Sequence, residues 1–176
     1  FSTFAGSDGS FAAEKLTDGL GAPDMNWAAQ GIGFKLYATC APNLTSVDLM
    51  RGFRAQGLRP EDVQAIDVYL GADSFHHVGW PYEPGDATGA QFNLRYTLSA
   101  ALLEGDAFVE QYRAELLADP RILALTRQIH LHEDPAITAK GRIARNSARI
   151  RVTRKTGAPM EAEAMVARGA AGNEAT

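Results

Sequence analysis

The chain has 176 residues, 45% of them hydrophobic and 22% charged, with a formal net charge of −4. That length suits one domain with a real core, and the composition excludes collagen-like and wholly disordered chains. A single cysteine excludes an internal disulfide framework and fits a reducing, cytoplasmic setting. No apolar run approaches the 18 or so residues that span a bilayer, so no membrane partner is expected. No signal peptide opens the chain. It begins with Phe1 rather than methionine, which reads as a piece of a longer polypeptide.

Residues 1–10 are rich in Gly and Ser and read as loop. Residues 11–20 fit a short helix, closed by Gly21 and Pro23. Gly31 and Gly33 resemble part of a dinucleotide loop, but the third glycine is missing and the pair precedes a strand-like run instead of following one. Residues 34–37 read as that short strand. Asn43 is then a good N-cap, with Leu44, Val47, Met50 and Phe53 spaced along one helical face until Gly57. Ile66, Val68 and Leu70 alternate with Asp67 and Tyr69, which predicts a second strand. Residues 71–86, with Gly, Pro, Asp and two histidines, read as a long loop.

Residues 87–104 carry two apolar stripes and predict one mostly buried helix, stopped by Gly105. Asp106 caps a following helix whose inward face is Phe108 or Val109, Tyr112 and Leu116. Asp119 and Pro120 open another. Ile129 and Leu131 alternate with His130 and His132 in a third strand.

Charge is uneven at the end of the chain. Residues 140–155 hold seven of the 17 Lys and Arg and no acid, leaving the remainder at −11. From Ser147 onward the pattern alternates, and a hairpin folded symmetrically about Thr156 places Arg151 opposite Glu161 and Arg149 opposite Glu163. Such pairs favour that register by about 0.2–1 kcal/mol each. The basic block is thus an acid-paired solvated face, and nucleic acid is not an expected partner. Strands and helices mix without regular βαβ alternation. The fold class is α+β: a mostly antiparallel sheet with helices on one face, ending in a β-hairpin, in a single domain over 1–176.

Candidate chemistry is sparse. His130 and His132 share a strand face at a spacing a metal could use, but no second ligand cluster accompanies them, so no metal is expected. His76 and His77 can contact substrate or move a proton. Cys40 precedes a helix start, where a thiolate or bound anion is favoured, yet no general base can be placed beside it for a cysteine-dependent hydrolase. Lys35 lies five residues earlier. A strand ending beside a helix start can aim an ammonium and a set of N–H donors at one carboxylate.

The run Gly33-Phe34-Lys35-Leu36-Tyr37-Ala38-Thr39-Cys40 resembles the "fKpyP-x-C/H" segment of the MmgE/PrpD family. That family includes 2-methylcitrate dehydratase, cis-aconitate decarboxylase and iminodisuccinate epimerase. Gly89-Ala90-Gln91-Phe92-Asn93-Leu94-Arg95-Tyr96 resembles its "A-Q-F-S-x-x-Y" helix, and Arg151 to Gly157 its "V-x-x-x-x-G" hairpin. The likeness runs in order over most of 30–170. Leu36 and Ala38 stand where prolines are usual, and Asn93 where serine is common.

The resemblance implies the smaller α+β lid domain, with an N-terminal helical domain absent from this chain and the active site between the two. It implies a lyase or isomerase acting without metal or organic cofactor on small di- or tricarboxylates, in a homodimer. Lys35 then contacts substrate, the helix start at Asn43 binds a second substrate carboxylate, Tyr96 lines the pocket, and Cys40 occupies a position where some members carry an active-site histidine. The general base belongs to the helical domain. The other reading is a non-catalytic ligand-binding or dimerisation module.

Overall fold

The computed structural model describes residues 33–170 together with Gly21 and Asn173. The loop expected over 1–10, the helix over 11–20 and Gly31 lie outside the described residues.

Four strands carry the alternation seen in the sequence. They are β1 (Val63–Leu70), β2 (Ile129–Glu133), β3 (Ala148–Arg154) and β4 (Met160–Ala164), in spatial order β2-β1-β3-β4. The sheet is mixed: β2 runs parallel to β1, while β1–β3 and β3–β4 are antiparallel. Arg149 faces Glu163 and Arg151 faces Glu161, the register that the hairpin charges favour. Ile66, Val68, Leu70, Ile129, Ile150 and Val152 turn into the core, and the intervening polar residues face outward.

Helices cover the inner face. α1 (Leu44–Ala55) packs on β3 and β4 through Val47, Met50 and Phe53, the stripe that the sequence marks. α4 (Leu94–Glu104) packs behind α1 and against α6 (Pro120–Thr126). It is almost entirely buried, as two apolar stripes require, and Gly105 ends it in the left-handed conformation (φ 92°) that favours glycine.

Several local expectations are corrected. The helix expected over 87–104 is two, α3 (Ala87–Phe92) and α4, divided at Asn93. The Asn93 backbone turns extended, its side-chain oxygen accepts from the Tyr96 N–H, and its amide donates to the Trp80 carbonyl at 2.9 Å. A side chain that satisfies both a helix start and a neighbouring loop overrides helical periodicity. The stretch over 71–86 is not all loop: Ala72–Val78 forms α2, held by burial of Val78 and by the Ser74 hydroxyl donating to the Arg145 carbonyl at 2.6 Å. Residues 34–37 form no strand; the segment follows bends outside the sheet.

After Gly105 the chain makes a 3-10 turn (Val109–Tyr112) and α5 (Ala114–Leu117), burying Tyr112 and Leu116 but leaving Phe108 and Val109 exposed. Asp106 caps no helix; it pairs with Arg51 at 2.9 Å. α7 (Pro135–Ala139) and a 3-10 turn (Gly141–Ala144) then lead into β3.

Candidate functional site

The segment from Gly33 to Cys40 crosses the helical side, and its backbone is stitched down along its length. Phe34 donates its N–H to the Gly169 carbonyl at 2.7 Å, and Ala38 donates to the Ala107 carbonyl at 3.0 Å. Gly169 has φ 83°, and a Cβ there would come within 2.4 Å of the Phe34 carbonyl oxygen, so this close approach requires glycine. The Tyr37 hydroxyl donates to Asp48 at 2.5 Å, and the Arg51 guanidinium lies over the Tyr37 ring. Burial first, then the Asp48 carboxylate, pushes the Tyr37 phenol up to about 12.

One carbonyl fixes the far end of the segment. The Gln91 oxygen, in the last turn of α3, accepts from the Cys40 N–H at 3.0 Å, the Thr39 hydroxyl at 2.7 Å and the Asn43 amide at 3.2 Å. Asn43 also donates to the Thr39 hydroxyl at 2.8 Å. Asn43 is fully buried, and its side chain caps nothing: a 3-10 turn (Ala41–Asn43) with Pro42 in it precedes α1. The expectation that the Asn43 side chain caps the helix is thus corrected. Its amide is drawn inward by three oxygens, and Pro42 has no N–H to offer.

Held this way, Lys35, Tyr37, Ala38, Thr39, Cys40, Gln91 and Phe92 line an open hollow of about 270 Å³. The Lys35 ammonium curls over its own turn and donates to the Thr39 carbonyl at 3.4 Å, on the same side as Cys40. Burial pushes the Cys40 thiol above its ordinary value, opposed by the nearby Lys35 charge, by the Ala41 backbone N–H and by Arg145. Burial thus favours the protonated thiol of Cys40 over the thiolate.

Cys40 also lines a second hollow of about 220 Å³, with Ala41, Pro42, His77, Arg145 and Asn146. The two hollows meet at Cys40. His77 is exposed at the end of α2, its ring 5.8 Å from that of Phe92. His76, one residue back, bonds the Ala72 carbonyl at 2.8 Å and lies farther out along the same edge. Arg95 sets the position of this end of α2, donating to the Gly79 and Trp80 carbonyls and to Ile129 of β2.

The structure thus sets Lys35 beside Cys40 in one hollow and His77 beside Cys40 in the other, with His76 at the rim, while Asn43 lies buried directly behind Cys40, its N–H donating to the Cys40 carbonyl at 2.9 Å. Tyr96 is wholly buried: its hydroxyl donates to the Gln111 carbonyl at 2.6 Å, and its ring packs between Tyr82 and Tyr112. It lines neither hollow. Gln91, Phe92 and Arg145 also line them, although the sequence reading assigns none of the three to a site; Gln91 and Phe92 lie inside the Gly89–Tyr96 run. Arg145 precedes the alternation that begins at Ser147, so it falls outside the hairpin pairing, and that was its available signal.

His132 is occupied elsewhere, against Asp67 at 2.7 Å, and among the described residues no three His, Cys, Asp or Glu side chains gather as metal ligands. Among the described residues no helix is long and apolar enough to cross a membrane.

The profile of the MmgE/PrpD C-terminal domain matches residues 37–176. The chain belongs to the MmgE/PrpD family. The match includes Cys40, Asn43, His76, His77 and Tyr96, while Lys35 lies two residues before its start. A comparison with curated proteins finds no match.

Proposed function

We propose that this MmgE/PrpD domain is the carboxylate-gripping half of a cofactor-independent lyase or isomerase. The substrates are small di- or tricarboxylates, and the reaction is a dehydration, decarboxylation or epimerisation. Each begins with loss of a proton or a carboxyl group beside a carboxylate, so negative charge builds up on the substrate. A fixed cation held in a partly dry hollow stabilises that charge more than water would.

The observation that carries the reading is the placement of Lys35. Its ammonium sits beside Cys40 in the first hollow, and no carboxylate among the described residues lies within 4.0 Å of it. Lys35 is exposed and has no acidic partner among the described residues, and the backbone that carries it is pinned by the Cys40 N–H and the Thr39 hydroxyl on the Gln91 carbonyl, so its charge is free to meet an anion beside Cys40. Cys40 contacts the substrate as a neutral thiol, and His77 borders the same space. Tyr96 acts indirectly, by filling the core behind α3. The general base comes from an N-terminal helical domain that closes over the hollow, and the working unit is a cytoplasmic homodimer.

The test is Lys35→Met in the full-length protein, assayed against a panel of short polycarboxylates. Loss of a transition-state charge contact is expected to lower kcat/KM on the order of 10²-fold. A change within about threefold would overturn the role.

A further inference from the structure

One cation can hold one carboxylate, and a polycarboxylate needs another point of attachment. The start of α1 does not supply it: the Asn43 N–H is taken by the Cys40 carbonyl, the Leu44 N–H by the Ala41 carbonyl, and Pro42 has no N–H. The second hollow contains a different cation. Arg145 lines it together with Cys40 and His77, on the side away from Lys35's hollow.

The Arg145 backbone is fixed although its side chain is exposed. Its carbonyl accepts from Ser74, a buried residue of α2, and the preceding Ala144 is fully buried. Like Lys35, Arg145 has no carboxylate within 4.0 Å among the described residues. One acid is near: Asp73 of α2 borders the outer part of the edge with Arg145, His76 and His77. Asp73 does not line the inner hollow against Cys40, whose lining contains Arg145 and no acid. A planar guanidinium can take a carboxylate by two parallel hydrogen bonds, which fixes orientation as well as charge.

We infer that Arg145, with His77 beside it, is a specificity-determining residue that takes the second carboxylate of the substrate. Lys35 and Arg145 then hold the two ends of a small dicarboxylate whose middle lies over Cys40. This rests on the proposed carboxylate site and deepens it. It selects substrates with two carboxylates separated by a short carbon chain over monocarboxylates of the same length, because a monocarboxylate leaves one cation without a counterion.

The test uses non-reacting probes, glutarate and tricarballylate against butyrate, titrated calorimetrically into the full-length protein. The wild type should bind the polycarboxylates at least about tenfold more tightly than butyrate, since a charge-assisted bidentate contact is worth roughly a factor of ten or more. Arg145→Gln should remove most of that preference while leaving butyrate affinity within about twofold, and Arg145→Lys should restore part of it. The side chain is exposed, so an unchanged thermal midpoint in both variants separates lost binding from lost folding. If Arg145→Gln leaves glutarate and tricarballylate affinity within twofold while Lys35→Met abolishes it, the role of Arg145 is wrong and the carboxylate site stands. If the wild type binds none of the probes, the site itself fails and takes this inference with it.

Discussion

The outer face of the sheet and the hollow around Cys40 both carry cations, yet they use them in opposite ways. On the sheet, Arg149 bridges Asp134 at 3.2 Å and Glu161 at 3.4 Å, and its guanidinium lies 3.9 Å over the ring of Tyr69. The other side of that tyrosine stacks on His132, which bonds Asp67. Arg149 and His132 are thus answered within the domain, while Arg151 lies in register with Glu161 and Asp67 without a direct ion pair. Around Cys40, Lys35 and Arg145 stand without a bridging acid among the described residues, while the backbone that carries them is bonded tightly. A face that neutralises itself is built for solubility and register. A rigid support presenting uncompensated charge is built to receive a charge from outside.

That contrast separates support from site, and substitutions can test the boundary. The largest expected effect is at Tyr96. Its aromatic ring fills the core between two other tyrosines, so Tyr96→Ala should cost about 3–5 kcal/mol of unfolding free energy. Tyr96→Phe loses only the bond to the Gln111 carbonyl and should cost about 1 kcal/mol in denaturant titration, leaving carboxylate binding intact. A Phe variant that is fully stable but binds no carboxylate would move Tyr96 back into the site and erase the boundary.

Asn43 is the next largest. It joins Thr39 and Gln91, and thereby the end of the segment that carries Lys35, to the start of α1. Asn43→Leu should lower stability by about 1–3 kcal/mol, because the Thr39 and Gln91 oxygens lose a buried donor. One amide oxygen of Asn43 is itself buried without a partner, which holds the cost toward the lower part of that range. Carboxylate affinity should fall in the same variant, since the ammonium loses its fixed position; unchanged affinity would show that Lys35 is placed by something else.

These two residues also show where sequence reading succeeds and where it stops. Period-two alternation at Ile66–Leu70 and Ala148–Val152, with the Arg and Glu partners across the hairpin, specified strands, faces and register, because each side chain's surroundings are set by immediate neighbours in the sheet. Lys35 is expected on a strand and lies instead on a bent segment outside the sheet, so its position beside Cys40 comes from tertiary bonds and not from a local period. What was not legible depended on single long-range bonds. Asn93 splits a periodic helix because Trp80 offers a carbonyl, and α2 forms where its own seven residues are poor evidence because Ser74 reaches Arg145. Asn43 looked like a cap because capping is its common local use; here oxygens from Thr39 and Gln91, brought in by packing, compete for the same amide. Arg145 looked like one more cation in a basic run until the structure separated it from the hairpin.

High pH probes the same segment through Tyr37. Its phenol is pushed up from about 10 to about 12 by burial and Asp48, so the folded state holds the proton more tightly than the unfolded chain. The associated stability is fully present below pH 10 and is lost as pH rises through 12. Tyr37→Phe removes this titration. Between pH 10 and 12 the unfolding free energy of the variant should therefore fall less steeply than that of the wild type, as followed by urea titration at each pH. Parallel slopes would mean that the Tyr37–Asp48 contact does not hold the segment.

The smallest expected effects set the two regions directly against each other. Arg149 is partly shielded, its side chain 32% exposed, and answers two acids and an aromatic ring. Arg149→Gln should therefore lose about 0.2–1 kcal/mol at low ionic strength, the range for exposed pairs, and less in 1 M salt, where the Debye length falls to about 3 Å. Lys35→Met removes a charge that stabilises nothing within the domain, so its unfolding free energy should stay within about 0.5 kcal/mol of the wild type in either direction. The difference lies in binding: Lys35→Met should lose carboxylate affinity and Arg149→Gln should keep it. If the two variants exchange these behaviours, with Lys35 needed for stability and Arg149 for binding, the site lies on the open face of the sheet and not around Cys40.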